Sequence, residues 1–401
     1  MKVGGNMIQR TSYLEKLNRV KDKQIIKVLT GVRRCGKSTI LQMFRQQLLD
    51  EGIEQSQIIF INFEDLANEK YLDYHELHRY LDNFMDKNQK YYIFLDEIQA
   101  VPHFEKVLDS FFIRSNVDPY VTGSNAFMLS GELATLLSGR YIEVRVHPLS
   151  FKEYHSAFNG DVTTDFQNYL NFGGFPFAVQ LEDEKTFEDY VDGIVNTVLI
   201  KDVLQRKQRS DSALVEQIAR FLTDTAGNLI TVRKIANTLT SMGEKTTSDT
   251  VLSYLSAFLD AYLFYRCDRY DISGKKYLSI NSKYYPVDMA LRYALLGTKR
   301  VNIDSCLETV VFLELLRRDY EIYVGTIENT EVDFVAIKQG VKEYYQVSYT
   351  VVDDETYNRE VSVLKKIKDD YRKILLTADP GYANDEGIEQ VNVINWLLGE
   401  D

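Results

Sequence analysis

Little in this 401-residue sequence suits an oxidising or membrane setting. Its three cysteines, Cys35, Cys267 and Cys306, are far apart and show no C-x-x-C or Cys/His spacing. That excludes a disulfide scaffold and a structural zinc site, and it fits a reducing cytoplasm. No run of about 18 apolar residues occurs and no basic-then-apolar leader opens the chain, so neither a membrane span nor a secretion signal is expected. Positive charge is not in excess either. The net charge of -12 excludes a surface that coats nucleic acid uniformly.

What is present is the composition of a soluble globular protein, 45% hydrophobic and 26% charged. Its length implies about two to four domains. The first fifty residues are a basic block and the stretches 51–110 and 301–401 are acidic, so a polyanion would meet a local patch.

The strongest signal is "IIKVLTGVRRCGKSTIL". An apolar strand enters Gly31-x-x-x-x-Gly36-Lys37-Ser38, and a helical pattern with Ile40, Leu41 and Phe44 on one face leaves it. Strand, glycine loop and helix in this order let backbone N–H groups turn toward phosphates at a helix N-terminus. The expected nucleotide cradle is Gly31, Val32, Arg33, Arg34, Cys35, Gly36, Lys37, Ser38 and Thr39, with Lys37 bridging phosphates and the Ser38 hydroxyl on Mg²⁺. A second apolar strand in "YYIFLDEI" delivers Asp96 and Glu97 to its end. Asp96 is expected to hold Mg²⁺ through water and Glu97 to polarise the attacking water. The two motifs in this order point to an ATPase using ATP and Mg²⁺.

Three further segments extend the site. "IIFINFED" reads as an intervening strand ending in Glu64 and Asp65, which are loop caps or supporting groups. "PYVTGSN" is a buried strand ending in Ser124 and Asn125, where a γ-phosphate or water sensor would lie; the alternative is a turn or helix cap. "LSGRYIEVRVHPLSF" carries Arg140, a candidate finger or sensor whose alternative is a surface ion pair.

With "IFLDEIQAV", "VTGSN", "LSGRYIEVRVHPLSFKEY", "GGFP" and the late "LETVVFLELLRR…EVDFV", the chain resembles the prokaryotic AAA/STAND-related ATPases that join a P-loop domain to a winged helix and a restriction-endonuclease-like domain of unknown function. The resemblance spans essentially the whole chain. It implies an α/β, AAA-like P-loop NTPase domain over 1–155, a helical lid or connector over 156–210, a winged helix over 211–285 and a restriction-endonuclease-like α/β domain over 286–401. It also implies ATP, Mg²⁺ and a cytoplasmic setting, without naming a client.

The basic cluster at 201–209 is either a phosphate contact or a solvated helix face. In the winged-helix region, "ITVRKIANTL" gives a helix with Ile235, Ala236 and Leu239 inward. "TTSDTVLSYLSAFLDAYL" gives a second, capped by Ser248, with Val251, Leu255 and Leu259 inward. A hairpin around Ser273 and Gly274 reads as the wing. The second helix has no Lys or Arg, which argues against groove reading. Only Lys275, Lys276, Arg266 and Arg269 offer cations nearby.

At the end of the chain, Glu308 matches the helix acid of restriction-endonuclease-like sites and Asp333 the hairpin acid. The E-x-K positions fall on Gln346 and Ser348. An amide contributes no charge and a serine no cation, so a degenerate site is expected unless Lys342 migrates in. The expected function is a Mg²⁺-dependent ATPase coupling nucleotide state to a nucleic-acid (candidate DNA) or protein client, with no membrane partner and a homo-oligomer if Arg140 acts across subunits. The alternatives are a slow nucleotide-controlled switch with docking domains and, third, an ATP-dependent nuclease.

Overall fold

Five short runs of mostly apolar residues form the first sheet: β1 (Ile26–Thr30), β2 (Ile58–Asn62), β3 (Tyr91–Asp96), β4 (Val117–Thr122) and β5 (Tyr141–Arg145). All are parallel, in the order β2-β3-β4-β1-β5. Residues of β1, β3 and β4 are buried throughout, as parallel strands covered on both faces must be. The structure, a computed structural model, describes residues 2–3, 6–123, 137, 139–158, 160–197, 203–204, 211–297, 302–328, 330–381 and 383–400. Ser124, Asn125 and most of the 201–209 cluster lie outside the described residues.

Two compact units divide the chain: Met7–Pro148 with Asp260–Tyr262, and Leu149–Leu259 with Leu263–Asp401 and Lys2–Asn6. In the first, helices α1 (Thr11–Val20), α2 (Lys37–Asp50), α3 (Tyr74–Phe84) and α4 (Phe104–Phe112) accompany the sheet. Leu81, Leu108 and Phe111 pack with Ile61, Ile93 and Val121 in one core cluster. Phe44 of α2 meets Phe94 and Tyr120, at ring-centroid distances of 6.4 and 5.2 Å. The strand order matters for the site: Leu29 pairs with Thr122 and Leu95 with Val121. The ends of β1, β3 and β4 therefore meet at one edge, where ligands of parallel sheets bind.

The second unit holds helices α5 (Phe151–Phe158), α6 (Val162–Phe172), α7 (Glu184–Thr197), α8 (Ser212–Asp224), α9 (Val232–Ser241) and α10 (Ser248–Asp260). Helix α9 buries Ile235, Ala236 and Leu239 as expected, while α10 buries Tyr254 and Phe258 beside Val251 and Leu255. The α10 cap is Thr247, whose hydroxyl accepts from the Thr250 N–H at 3.2 Å, and not Ser248.

An eight-stranded sheet follows, formed by β6 (Phe264–Asp271), β7 (Lys276–Pro286), β8 (Glu321–Ile327), β9 (Thr330–Lys338), β10 (Val341–Val347), β11 (Arg372–Thr377), β12 (Ala383–Asp385) and β13 (Ile388–Asn392). Its order is β12-β13-β11-β10-β9-β8-β6-β7. Helices α11 (Met289–Leu296), α12 (Ile303–Arg317), α13 (Asp354–Lys365) and α14 (Val393–Leu398) complete the unit. The hairpin expected as the wing also forms the end of this sheet, because β6 pairs in parallel with β8. The expected boundary between 285 and 286 separates strands of one hydrogen-bonded layer. The glycine-proline turn after α6 also has a packing reason: a Cβ at Gly173 would lie 1.9 Å from Asp288 Oδ1.

Candidate nucleotide site

Three left-handed or extended positive-φ residues bend the chain between β1 and α2: Gly31 (φ 140°), Arg34 (φ 67°) and Gly36 (φ 102°). A side chain at Gly31 is excluded by Val146 O, 2.1 Å from where a Cβ would stand. Val32 and Cys35 are buried, Arg33 and Thr39 half-buried, and Arg34 exposed. Burial pushes the Cys35 thiol pKa up, against the pull of Lys37 and Arg10. Lys37 curls over its own loop, donating to Gly31 O at 3.1 Å and Val32 O at 3.2 Å.

Asp96 is the centre of the polar cluster and is fully buried. Its Oδ1 accepts from Ser38 Oγ at 3.0 Å and Thr122 Oγ at 2.6 Å, and its Oδ2 from Asn62 Nδ2 at 3.1 Å. Burial raises the Asp96 pKa, and the Thr122 and Ser38 hydroxyls partly offset it. Two hard oxygens, from Ser38 and Asp96, thus meet beside a helix N-terminus. This donor set fits Mg²⁺, which prefers oxygen and retains much of its water. Glu97 follows in a left-handed conformation (φ 57°, ψ 46°). Its N–H donates to Thr122 Oγ at 2.8 Å, and its Oε2 accepts from Gln99 Nε2 at 2.5 Å.

The structure therefore brings Lys37, Ser38, Asp96 and Glu97 to one edge. Asn62, Thr122 and Gln99 join them, although the sequence reading passed over all three. Asn62 and Thr122 could have been found as polar residues ending buried strands. Glu64 and Asp65 stand aside as turn groups; Asp65 Oδ1 accepts from Ala67 N at 2.9 Å. Behind the loop lies buried Arg10, which donates to Cys35 O at 3.1 Å and His147 O at 2.7 Å.

Arg140 does not belong to this cluster. Its carbonyl accepts from Ile26 N at the start of β1, about 13 Å along the strand from the loop end. Its guanidinium pairs with Asp109 at 2.8 Å. The same strand carries Arg145 opposite Thr30, at the loop end of the sheet.

In the second unit, Glu308 and Asp333 come together, but Lys342 stays away, donating to Tyr270 OH at 2.7 Å. Gln346 spends its amide internally: Oε1 accepts from Asp333 N at 3.3 Å and Nε2 donates to Glu360 at 2.7 Å. Ser348 Oγ donates to Thr350 O at 3.1 Å. The cation beside the acids is Lys283 of β7, another residue the sequence reading missed.

This fold and edge define an AAA-like P-loop ATPase. A family model described as an AAA domain matches residues 23–155, and one described as a domain of unknown function (DUF8612) matches 163–302. An uncharacterized protein of Haemophilus influenzae is 39% identical over 399 residues, 98% of this chain and 99% of that protein. One of Methanocaldococcus jannaschii is 30% identical over 391 residues, 92% of this chain and 84% of that protein. A solved Walker-type ATPase of Pyrococcus abyssi, 16% identical, has a similar fold, with a TM-score of 0.50 over 72% of this chain and 96% of that one. The chain belongs to one family with the Haemophilus and Methanocaldococcus relatives, and its residues 23–155 match the AAA domain. No helix among the described residues is long and apolar enough to cross a membrane.

Proposed function

We propose that this protein is a Mg²⁺-dependent ATPase whose nucleotide state controls a DNA or protein client through the second unit. The observation that carries the reading is the Ser38–Asp96–Thr122–Glu97 relay beside the loop that Lys37 closes. Mg²⁺, held through Ser38 and Asp96, would neutralise developing phosphate charge. Loop N–H groups and Lys37 would orient the β- and γ-phosphates. Glu97 would accept a proton from the water attacking the γ-phosphorus, while the bond to the ADP oxygen breaks to give ADP and phosphate.

One contact favours the second reading, a slow nucleotide-controlled switch. Gln99 holds the Glu97 carboxylate, so hydrolysis would await its release. Cleavage of nucleic acid is disfavoured, since the E-x-K positions carry Gln346 and Ser348.

The test is steady-state ATP hydrolysis with Mg²⁺, alone and with linear, single-stranded or branched DNA. Lys37→Ala is expected to lose nucleotide binding, and Glu97→Gln to bind ATP but turn over about 10²–10⁴-fold more slowly. Stimulation by one DNA form assigns a DNA client, and none assigns a protein client or the switch. Undiminished turnover in both variants refutes the assignment of this site.

A further inference from the structure

The acids of the second unit surround a cation that the chain itself supplies. Lys283 is 1% exposed, and its Nζ lies 2.7 Å from Glu308 Oε1, 2.6 Å from Glu331 Oε1 and 3.8 Å from Asp333 Oδ1. These carboxylates come from α12 and β9, and the lysine from β7. The two short contacts have the length of charge-assisted N–H···O bonds, longer than the roughly 2.1 Å of Mg²⁺–oxygen bonds.

The surroundings close the cluster further. Tyr285 OH donates to Glu308 Oε1 at 2.6 Å, and Asp333 Oδ2 accepts from Val347 N at 2.9 Å. On the other side of Glu308, a Cβ at Gly227 would stand 2.8 Å from Oε2. Ser305 Oγ pins that turn by donating to Ala226 O at 2.7 Å. Burial alone would lower the Lys283 pKa, but Glu308, Asp333 and Glu331 outweigh it and raise it.

We infer that Lys283 is a built-in replacement for a divalent cation: its ammonium occupies the common focus of Glu308, Asp333 and Glu331 and keeps metal out. The acids are retained because they bind the lysine. The cluster ties the β6–β7 hairpin and the turn at Gly227 to α12 and β9, making a nuclease-like arrangement into a fixed ionic staple. This rests on the nuclease-like reading of Glu308 and Asp333, which has its own test. Mn²⁺-dependent DNA cutting by the wild type, lost in Asp333→Asn, would overturn the inference and leave the nuclease-like reading standing.

The deciding experiment is calorimetric titration of the nucleotide-free full chain with Mn²⁺. Wild type, Asp333→Asn, Lys283→Met and Lys283→Met/Asp333→Asn are compared; the nucleotide-site acids are common to all four. Wild type and Asp333→Asn should titrate alike. Lys283→Met should gain one Mn²⁺ site that the wild type lacks, and the double variant should lose it. Should Lys283→Met not fold, Lys283→Gln takes its place, and the wild-type pair still decides. Mn²⁺ binding by the wild type that depends on Asp333 overturns the inference. A folded Lys283 variant that gains no Mn²⁺ site overturns it too, leaving the nuclease-like reading standing.

Discussion

Replacing Thr122 by valine tests the relay at a residue that touches no phosphate-binding amide. The side chain keeps its volume but loses two hydrogen bonds, one to Asp96 Oδ1 at 2.6 Å and one from Glu97 N at 2.8 Å. Thr122 is fully buried, so water cannot replace its hydroxyl. An orphaned buried N–H costs about 1–3 kcal/mol and a lost bond to a charged group about 1.5–3 kcal/mol, roughly 2.5–6 kcal/mol in all. For a domain of this size that lowers the unfolding temperature by about 5–20 °C. Without its anchor, Glu97 no longer offsets a left-handed backbone cost of about 1–2 kcal/mol and shifts from the position its proposed role requires. A displacement of about 1 Å costs on the order of 100-fold in rate. The assays are Mg²⁺-dependent phosphate release, nucleotide binding without Mg²⁺, and scanning calorimetry. Calorimetry is needed because the sole tryptophan, Trp396, lies in the other unit. We expect kcat to fall about 100-fold with KM within about threefold, and Thr122→Ser to restore both. A Thr122→Val protein with unchanged unfolding temperature and kcat within about threefold of wild type would refute the reasoning.

Other residues yield outcomes as definite. Arg10→Met removes the donors to Cys35 O and His147 O; we expect a loss of about 2–4 kcal/mol by calorimetry and weaker nucleotide binding by fluorescence titration, and unchanged affinity would exclude a role in holding the loop. Asp288 is pushed up to about 6 by burial, against the opposing pull of the Ala290 and Gly174 N–H groups and Arg317. Because the folded state then binds the proton more tightly, stability falls as pH rises from about 4 to about 6, by about 3 kcal/mol. Asp288→Asn should remove that slope in urea unfolding followed by Trp396 fluorescence, while identical slopes in the two proteins would contradict it.

The nucleotide edge was legible where chemistry follows chain order. Gly31 to Ser38 had to turn between strand and helix, and Asp96 and Glu97 had to end a buried strand. Thr122 and Asn62 were missed because their role depends on which strands are neighbours. Thr122 reaches Asp96 since β4 lies between β1 and β3, an order that spacing does not encode. Within one chain, Arg140 forms the surface ion pair that the sequence leaves as the alternative to a finger. A glycine before an arginine looks like a mobile finger, but β5 begins there, at the far edge of the sheet. Arg145 reaches the loop edge.

The hairpin from Phe264 to Pro286 shows the same limit with a larger consequence. Its alternation and its Ser273–Gly274 turn define two strands, but not what pairs with the outer edge of the first. That partner is β8, with Gly325 opposite Tyr270. A Cβ at Gly325 would stand 2.8 Å from Val332 Cβ and 3.0 Å from Ile272 Cδ1, so a bare backbone is required there. Incorporation into the sheet also engages the cations that would have contacted DNA. Arg269 donates to Thr326 Oγ at 3.1 and 3.2 Å, and Arg266 pairs with Asp268 at 2.7 Å. Of the four basic side chains that a free wing would offer to phosphates, two are engaged within the unit and Lys275 and Lys276 remain exposed at the turn. Two exposed lysines give a shallow salt dependence, since each neutralised phosphate contributes a slope of only about 0.9. DNA binding through this hairpin alone would therefore be weak, and a DNA client would need contacts elsewhere in the chain.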